Sequence, residues 1–309
     1  MAGARAIKTR IKSTKNIQQI TKAMEAVSAV KMRKSEAAAL HGRPYALYAL
    51  QILRKIESGT EESLKALSPF FEKVEGVNKV CFIVVASDKG LAGSFNSNVL
   101  KKAHEVISKE TLPVSVVAVG KKARDYFERK GIPLEATFEG IGDFATMEEC
   151  SPIAELATSL FLQKKYSKIN IVYTNFVSAL KQEAVLRPLL PLSRETLEEV
   201  TANIIPETGK FSHLRNNVSN DTEYKFEPTP ATIIKELVPL LVEIEIFHSI
   251  LEANASEHSA RMVAMKNASD NAKDIIGKLT IKYNKERQAQ ITKELIEITS
   301  GKEALSKEE

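Results

Sequence analysis

The fold is decided by residues 237–283, which read LVPLLVEIEIFHSILEANASEHSARMVAMKNASDNAKDIIGKLTIKY. Apolar and small residues recur there at alternating four- and three-residue steps, which places them along one stripe of an α-helix. A 3.5-residue period predicts a left-handed supercoil against a second helix, and the alanines and serines allow the two backbones to approach closely. The stripe comprises Leu237, Leu241, Ile244, His248, Leu251, Ala255, His258, Met262, Met265, Ser269, Ala272, Ile276, Leu279 and Tyr283.

Three features of this stripe lead to more specific expectations. Pro239 costs about 3 kcal/mol inside a helix, so we expect a kink there or a helix that starts just after it. His248 and His258 are interpreted as polar residues that fix the register of the coiled coil. Beyond Tyr283 the polar residues 286–288 interrupt the stripe, which resumes in a shifted register at Ile291, Leu295 and Ile298.

The amino-terminal segment predicts the partner helix. Residues 4–56 have a helix-favouring composition, and only Gly42 and Pro44 offer points for a bend. Apolar residues at three- and four-residue steps define its predicted inward stripe: Ile7, Ile11, Ile17, Ile20, Met24 and Val27. A helix over residues 231–299 would be about 100 Å long, whereas a globule of this chain length has a radius of gyration of roughly 19 Å. We therefore expect the two helices to pair antiparallel and to project beyond the rest of the protein.

The middle of the chain predicts an α/β layer. Apolar runs at residues 79–86, 113–119 and 168–175 are typical of buried strands, and helical segments are expected at 98–108, 121–130 and 152–165. Residues 183–191 predict an edge strand, and the polar residues 193–230 a partly flexible connection. The fold class is thus α/β plus coiled coil: two long terminal helices around a Rossmann-like α/β domain. The predicted domains are residues 1–57, 58–228 and 229–309.

No motif for catalysis or cofactor binding stands out. The turn after the first strand, SDKGLAGS at 87–94, lacks the G-x-G-x-x-G that lets backbone approach a pyrophosphate, and no Walker phosphate loop occurs. Gly120-Lys121-Lys122 is interpreted as a helix start with solvated lysines. Ser87-Asp88 is interpreted as a turn, because no histidine is placed to serve as a base. The five histidines show no zinc-site spacing. The sequence therefore predicts no catalytic residue, no cofactor and no metal.

Charge is concentrated at the amino terminus. Residues 1–43 hold ten Lys or Arg and two Glu, a net charge of about +8, against +5 for the whole chain. Such a segment favours an acidic partner, so a basic coiled-coil scaffold that binds nucleic acid is one alternative, and an enzyme that uses the α/β domain is another. Apolar runs are too short to span a membrane, and the two cysteines predict no disulfide framework and fit a reducing compartment.

Three stretches together resemble one family. They are IKSTKNIQQITKAM at 11–24 with VKMRK at 30–34, SDKGLAGSFN at 87–96, and SEHSARMVAM at 256–265 with YNKERQAQIT at 283–292. In this order they resemble the gamma-subunit family of F-type ATP synthases. The resemblance implies a coiled-coil shaft inside a hexamer of alpha and beta subunits, with the α/β domain beside epsilon and the membrane ring. Catalysis would belong to beta and alpha, and nucleic acid would not be a partner.

The resemblance also implies candidate contact residues. Lys22, Met24 and Arg261 are expected to face an acidic loop of the beta subunit. Arg287 and Gln288, at the register break, are expected to form a polar catch against the same subunit. Tyr224 and Glu227 are expected to contact the membrane ring and epsilon.

Two further expectations concern location and regulation. Because the family match begins at the first residues, the sequence favours the cytoplasmic face of a bacterial inner membrane over a mitochondrion. Residues 187–230 contain no cysteine, so the thiol regulation of photosynthetic members is not implied.

Overall fold

A computed structural model describes residues 2–57, 68–72, 74, 76–192, 227 and 229–305, with backbone alone for 2–3, 40–57, 230–231 and 301–305. Helix α1, Ala2–Glu57, runs without interruption past Gly42 and Pro44. Helix α5, Pro230–Leu305, contains Pro239 in its interior. The expected alternative of a helix start after Pro239 is therefore wrong. Burial of Ile234, Val238 and Val242 on this part of the helix offsets the cost of the proline.

The α/β layer contains one five-stranded sheet. Its strands are β1 (Val80–Val85), β2 (Val114–Val119), β3 (Leu134–Phe138), β4 (Lys168–Ser178) and β5 (Lys181–Leu190), and its helices are α2 (Phe95–Lys109), α3 (Lys121–Lys130) and α4 (Met147–Leu162). The strand order is β3-β2-β1-β4-β5. All neighbours are parallel except β5, which pairs antiparallel with β4 and confirms the predicted edge strand.

Two elements of this layer differ from the sequence prediction. Strand β3 was not predicted, because its side chains are mostly half-buried and show no continuous apolar run. Helix α4 begins five residues before the predicted start at Pro152, because Thr146 and Glu149 form a capping box that fixes the first turn. The predicted connection over residues 193–230 lies almost entirely outside the described residues.

The central strand β1 is buried on both faces, as expected for a parallel sheet. On one face, Cys81, Ile83 and Val85 of β1 belong to a core that includes residues of α4 and of α5. On the other face, Val80, Phe82 and Val84 belong to a core that includes residues of α2 and α3. The part of α5 that precedes Arg261 thus packs in the core of the α/β unit. This packing explains why the side chains from Leu241 to Ala260 are buried or half-buried.

Contact density divides the chain into two compact units, residues 1–28 with 261–309 and residues 29–260. In the first unit, the α1 segment ends at residue 28, where the chain enters the second unit, and the α5 segment begins at residue 261, where the chain returns from it. The two segments therefore run antiparallel. Burial follows heptad steps in both. In α5 the predicted heptad positions from Met265 onward are buried or half-buried: Met265, Ser269, Ala272, Ile276, Leu279 and Tyr283. In α1 the buried or half-buried positions are Ala4, Ile7, Ile11, Thr14, Gln18, Thr21, Met24, Glu25 and Ser28.

The observed stripe on α1 agrees with the predicted one at Ile7, Ile11 and Met24 and corrects it at the other three positions. Ile17, Ile20 and Val27 are 54, 59 and 54% exposed, although the sequence placed them against the partner helix. Each precedes a less exposed position by one residue, a rotation of about 100° around the helix. Beyond Ile11, mainly small and polar residues fill the seam, and Ile17, Ile20 and Val27 form a second stripe that the described residues of this chain leave uncovered.

Candidate functional site at the carboxyl edge of the sheet

Asp88, directly after β1, connects three loops at the carboxyl edge of the sheet. Its Oδ1 accepts a hydrogen bond of 2.8 Å from the backbone N–H of Lys121, the first residue of α3. Its Oδ2 accepts one of 2.9 Å from the N–H of Gly140, just after β3. The N–H of Lys122 donates to the carbonyl of Ser87 at 3.0 Å. The start of α3 is thus capped from within the chain, and an anion there would have to displace Asp88.

Ser87 takes part in a closed hydrogen-bond ring with Asn96 of α2. The Asn96 Oδ1 accepts from the Ser87 N–H at 3.0 Å, its Nδ2 donates to the Ser87 Oγ at 2.7 Å, and that hydroxyl donates to the carbonyl of Lys89 at 2.6 Å. Ser87 is 3% exposed. The stretch SDKGLAGSFN therefore forms the turn between β1 and α2, and the hydroxyl of Ser87 has a structural role in that turn.

Gly120, directly after β2, permits the close approach of its backbone to that of Ala86 at the end of β1. It has a φ of +91°, and a Cβ there would lie 2.1 Å from the carbonyl oxygen of Ala86. Its N–H donates to the carbonyl of Phe138 at 2.7 Å, which links β2 to β3 beyond the last ladder pair. Over the described ranges, no group of His, Cys, Asp and Glu side chains is arranged to hold a metal ion.

We expect Asp88→Asn to lower the free energy of unfolding by about 1–2 kcal/mol. The side-chain NH₂ of asparagine cannot accept a hydrogen bond, so one of the two backbone N–H groups would lose its acceptor. The measurement is the urea midpoint of the full chain. Lys89→Gln, an exposed change in the same turn, is the matched control and should shift stability by less than about 0.5 kcal/mol. Equal midpoints for Asp88→Asn and the control would show that the carboxylate does not hold the loops.

A cavity of about 220 Å³ lies at this edge, between the turns after β1, β2 and β3 and one side of α5. Its lining includes Asp88, Gly120, Gly142, Asp143, Asn254 and Glu257. Asp143 lies in the loop from Phe138 to Met147 that joins β3 to α4. This loop contacts both long helices.

Four side chains from α1 and α5 converge on that loop. The Nζ of Lys31 lies 2.5 Å from the Asp143 Oδ2, and the hydroxyl of Ser35 donates to the Asp143 carbonyl at 3.1 Å. From α5, the Asn254 Nδ2 donates to the Gly142 carbonyl at 3.1 Å, and the Nε2 of His258 lies 3.1 Å from the Asp143 Oδ1. His258 therefore contacts the α/β layer, which corrects its predicted role as a polar residue between two helices.

The environment of Asp143 favours its ionised form. Burial raises the pKa of this carboxyl, but the hydrogen bond from Lys31 and the charges of His258, Lys31 and Lys89 outweigh burial, so the pKa is lower than usual. A lowered pKa in the folded state means that the contact stabilises the fold at neutral pH and that this contribution is lost as the pH falls through the folded pKa.

A second polar cluster is buried where α5 packs on β4 and β5. Glu245 is 6% exposed, and burial raises the pKa of its carboxyl against the opposing charge of Arg187. Burial and then the charge of Glu252 raise the pKa of Tyr173, over whose ring the Arg187 guanidinium lies at 5.5 Å. His248 is buried in the unit of residues 29–260, and its Nδ1 lies 3.4 Å from the Glu252 carboxylate one turn away.

The residues proposed from the sequence as contact sites lie elsewhere. Lys22 is exposed, Met24 is half-buried and Arg261 is 8% exposed, all in the unit of residues 1–28 and 261–309. Arg287 and Gln288 are exposed on α5. Glu227 is exposed, and Tyr224 lies outside the described residues.

Sequence reasoning missed Asp143 and the loop-binding role of Asp88. A signal for Asp143 exists in the Gly140-Ile141-Gly142-Asp143 turn, whose two glycines and carboxylate follow strand β3. Its partners Lys31 and His258 stand within the stretches that carry the family resemblance, yet they are more than a hundred residues away from it in sequence.

The exposed apolar residues of the long helices form the other unexplained feature. Besides Ile17, Ile20 and Val27 on α1, the far part of α5 exposes Ile275, Ile281, Ile291, Leu295, Ile296 and Ile298. Contiguous exposed apolar side chains are typical of a surface that a partner covers. None of the helices described here is long and apolar enough to cross a membrane.

The fold and this edge define a class of protein: two long terminal helices with a Rossmann-like α/β layer whose carboxyl edge is closed by its own side chains. A family model described as ATP synthase matches residues 3–305. The ATP synthase gamma chain of Cyanothece sp. is 39% identical, over 99% of this chain and 100% of that protein. That of Pelotomaculum thermopropionicum is 38% identical with the same coverage. The chain therefore belongs to the ATP synthase gamma-chain family.

Solved structures show the same fold at low sequence identity. A chain of the rotor of the Euglena gracilis mitochondrial ATP synthase in rotational state 1 matches with a TM-score of 0.63 and 16% identity, over 94% of this chain and 99% of that one. A chain of the OSCP/F1/c-ring assembly from the same organism, in rotational state 3, matches with a TM-score of 0.66 and 19% identity, over 98% and 95%.

Proposed function

We propose that this chain is the central-stalk rotor subunit of an F-type proton-translocating ATP synthase. It transmits rotation between the membrane ring and the alpha/beta catalytic hexamer and so couples proton flow to ATP synthesis or hydrolysis. The observation that carries this proposal is the uncovered apolar stripe on α1, next to a seam that is already filled by the chain itself. A helix pair with apolar outer faces suits a shaft enclosed by other subunits.

The proposal gives this chain no catalytic site of its own. In its support, Asp88 occupies the start of α3, where the sequence offered Gly120-Lys121-Lys122 as a weak anion site, and Ser87 is buried in a hydrogen-bond ring. Chemistry then belongs to beta and alpha. An asymmetric shaft would favour a different conformation in each of the three catalytic beta subunits as it turns, because it presents each with a different face.

Partner contacts are proposed at both ends of the rotor. Lys22, Met24 and Arg261 would face an acidic loop of beta, where the polarizable Met24 can slide past successive subunits. Arg261 would contribute little area, since it is 8% exposed. Arg287 and Gln288 are proposed as a polar catch against beta. Tyr224 and Glu227 are proposed to contact the ring and epsilon.

The proposed location is the cytoplasmic face of a bacterial inner membrane, which the chain would reach through its partners. The bacterial relatives support this location. We also propose that residues 1–57, 58–228 and 229–309 act as amino-terminal shaft helix, α/β foot and carboxy-terminal shaft helix, since α1 ends at Glu57 and α5 begins at Pro230.

Cysteine cross-linking in the assembled complex tests these assignments. We expect Gln288→Cys to give a product with beta, and Glu227→Cys a product with the ring or epsilon. The native thiols should not compete, because Cys81 and Cys150 are buried and burial raises the pKa of each to about 12. Glu128→Cys, exposed on α3, is the control and should give no product with beta. A Glu227→Cys product with beta and none with the ring or epsilon would refute the proposed foot.

A further inference from the structure

The loop between β3 and α4 is fixed to the α/β layer at both of its ends. At the first end, the Gly140 N–H donates to Asp88 at 2.9 Å. At the second, the Thr146 hydroxyl accepts from the Glu149 N–H at 3.3 Å, and the Glu149 carboxylate accepts from the Thr146 N–H at 3.0 Å. The middle of the loop is therefore held in a defined position relative to the sheet.

That middle section is bound by both long helices through one carboxylate. The Asp143 Oδ2 pairs with Lys31 of α1, and its Oδ1 lies against His258 of α5. The backbone of the same residue is held as well, because its carbonyl accepts from Ser35 of α1 at 3.1 Å, and the Gly142 carbonyl accepts from Asn254 of α5. Every one of these residues belongs to the unit of residues 29–260.

The strength of the cluster comes from charge and from burial together. Lys31 and Asp143 have side-chain exposures of 32 and 35%, so their pair is only partly screened by water. Ser35 is fully buried and His258 is 2% exposed, so neither can exchange its contact for water without a local opening. The Nε2 of His258 and the Oδ1 of Asp143 lie 3.1 Å apart.

We propose that Asp143 is a torque-transmitting latch that locks the α/β foot to both shaft helices. This inference rests on the proposed rotor function. A rotor must pass torque from a foot to a shaft without slipping, and Asp143 is the residue at which a loop of the α/β layer meets α1 and α5 together. It is a positioning residue: it transmits force between elements and contacts no nucleotide.

The test compares Asp143→Asn with wild type in membranes that contain the assembled complex. We expect ATP-driven proton pumping per ATP hydrolysed to fall about two- to fivefold, and the hydrolysis rate to fall less. The effect on pumping is partial because the ion pair that is lost is half-buried. Asp125→Asn is the matched control, since Asp125 is also 35% exposed and pairs with Arg124 at 2.8 Å, but within α3 alone. The control should leave pumping per ATP unchanged.

A second variant separates a latch from a general structural role. Lys31→Met removes the ionic contact from α1, leaves the Ser35 hydrogen bond in place and keeps a side chain of similar length, so it should reduce pumping per ATP by itself. The double variant with Asp143→Asn should be no worse than Asp143→Asn alone, because both changes break the same link. Additive losses, or normal pumping per ATP in Asp143→Asn and in Lys31→Met, would overturn the latch. Absence of pumping in the wild-type complex would instead refute both the latch and the rotor function.

Discussion

Replacing Gly120 by alanine is expected to destabilise the α/β layer by about 3 kcal/mol or more. The added Cβ would lie 2.1 Å from the carbonyl oxygen and 2.8 Å from the carbonyl carbon of Ala86, and both are backbone atoms at the end of β1. Relief would require β1 and β2 to separate where Ala86 donates to Val119 at 2.9 Å. The φ of +91° adds backbone strain for any residue with a side chain.

The measurement is chemical unfolding of the full chain, followed by circular dichroism. Gly90→Ala is the matched control, because it lies in the neighbouring turn and a Cβ there would meet no atom within 4 Å. It should change stability by less than about 1 kcal/mol. A Gly120→Ala protein as stable as the Gly90→Ala protein would mean that this edge of the sheet is not packed as described.

Replacing Ile17, Ile20 and Val27 together by serine is expected to weaken association with alpha and beta subunits about a thousandfold. Burying an apolar side chain of this size contributes about 1.5 kcal/mol, so three contribute roughly 4.5 kcal/mol to binding, which is slightly more than three orders of magnitude in affinity. The isolated chain should lose little stability, since each of the three is about half exposed without a partner.

The triple serine variant is measured by its thermal unfolding alone and by its co-purification with alpha and beta. Ile7→Ser with Ile11→Ser provides the contrast, because these residues are half-buried in the seam and should destabilise the chain itself. Undiminished binding by the triple variant would show that the uncovered stripe is not the surface that partners enclose.

The seam on α5 could be predicted because its apolar residues keep a strict heptad spacing up to Tyr283, and burial follows that spacing. The seam on α1 could be predicted only in part, because besides Ile7 and Ile11 it is made of residues such as Thr14, Gln18 and Ser28. Pattern reading assigns apolar residues to the interior of their own chain. In α1 the larger ones at 17, 20 and 27 instead face outward.

Loop contacts at the carboxyl edge were beyond sequence reasoning for a different reason. Asp88 could be assigned to a turn, yet its two acceptors are 33 and 52 residues from the N–H groups they bind. Asp143 was not singled out, because its partners Lys31 and His258 are far from it in sequence and lie close to it only in the folded structure. His258 was assigned to a helix–helix seam on spacing alone. The structure corrects that assignment, because His258 lies against Asp143 in the loop between β3 and α4.

The most direct test of the rotor proposal is observation of rotation in a complex of this chain with alpha and beta subunits. The hexamer is immobilised, and a fluorescent probe is attached to Leu180→Cys in the β4–β5 turn, where the native side chain is 86% exposed. With ATP present, the account predicts continuous rotation of the probe in one direction, which stops when ATP is removed. ATP hydrolysis by the same complex with a stationary probe would contradict it.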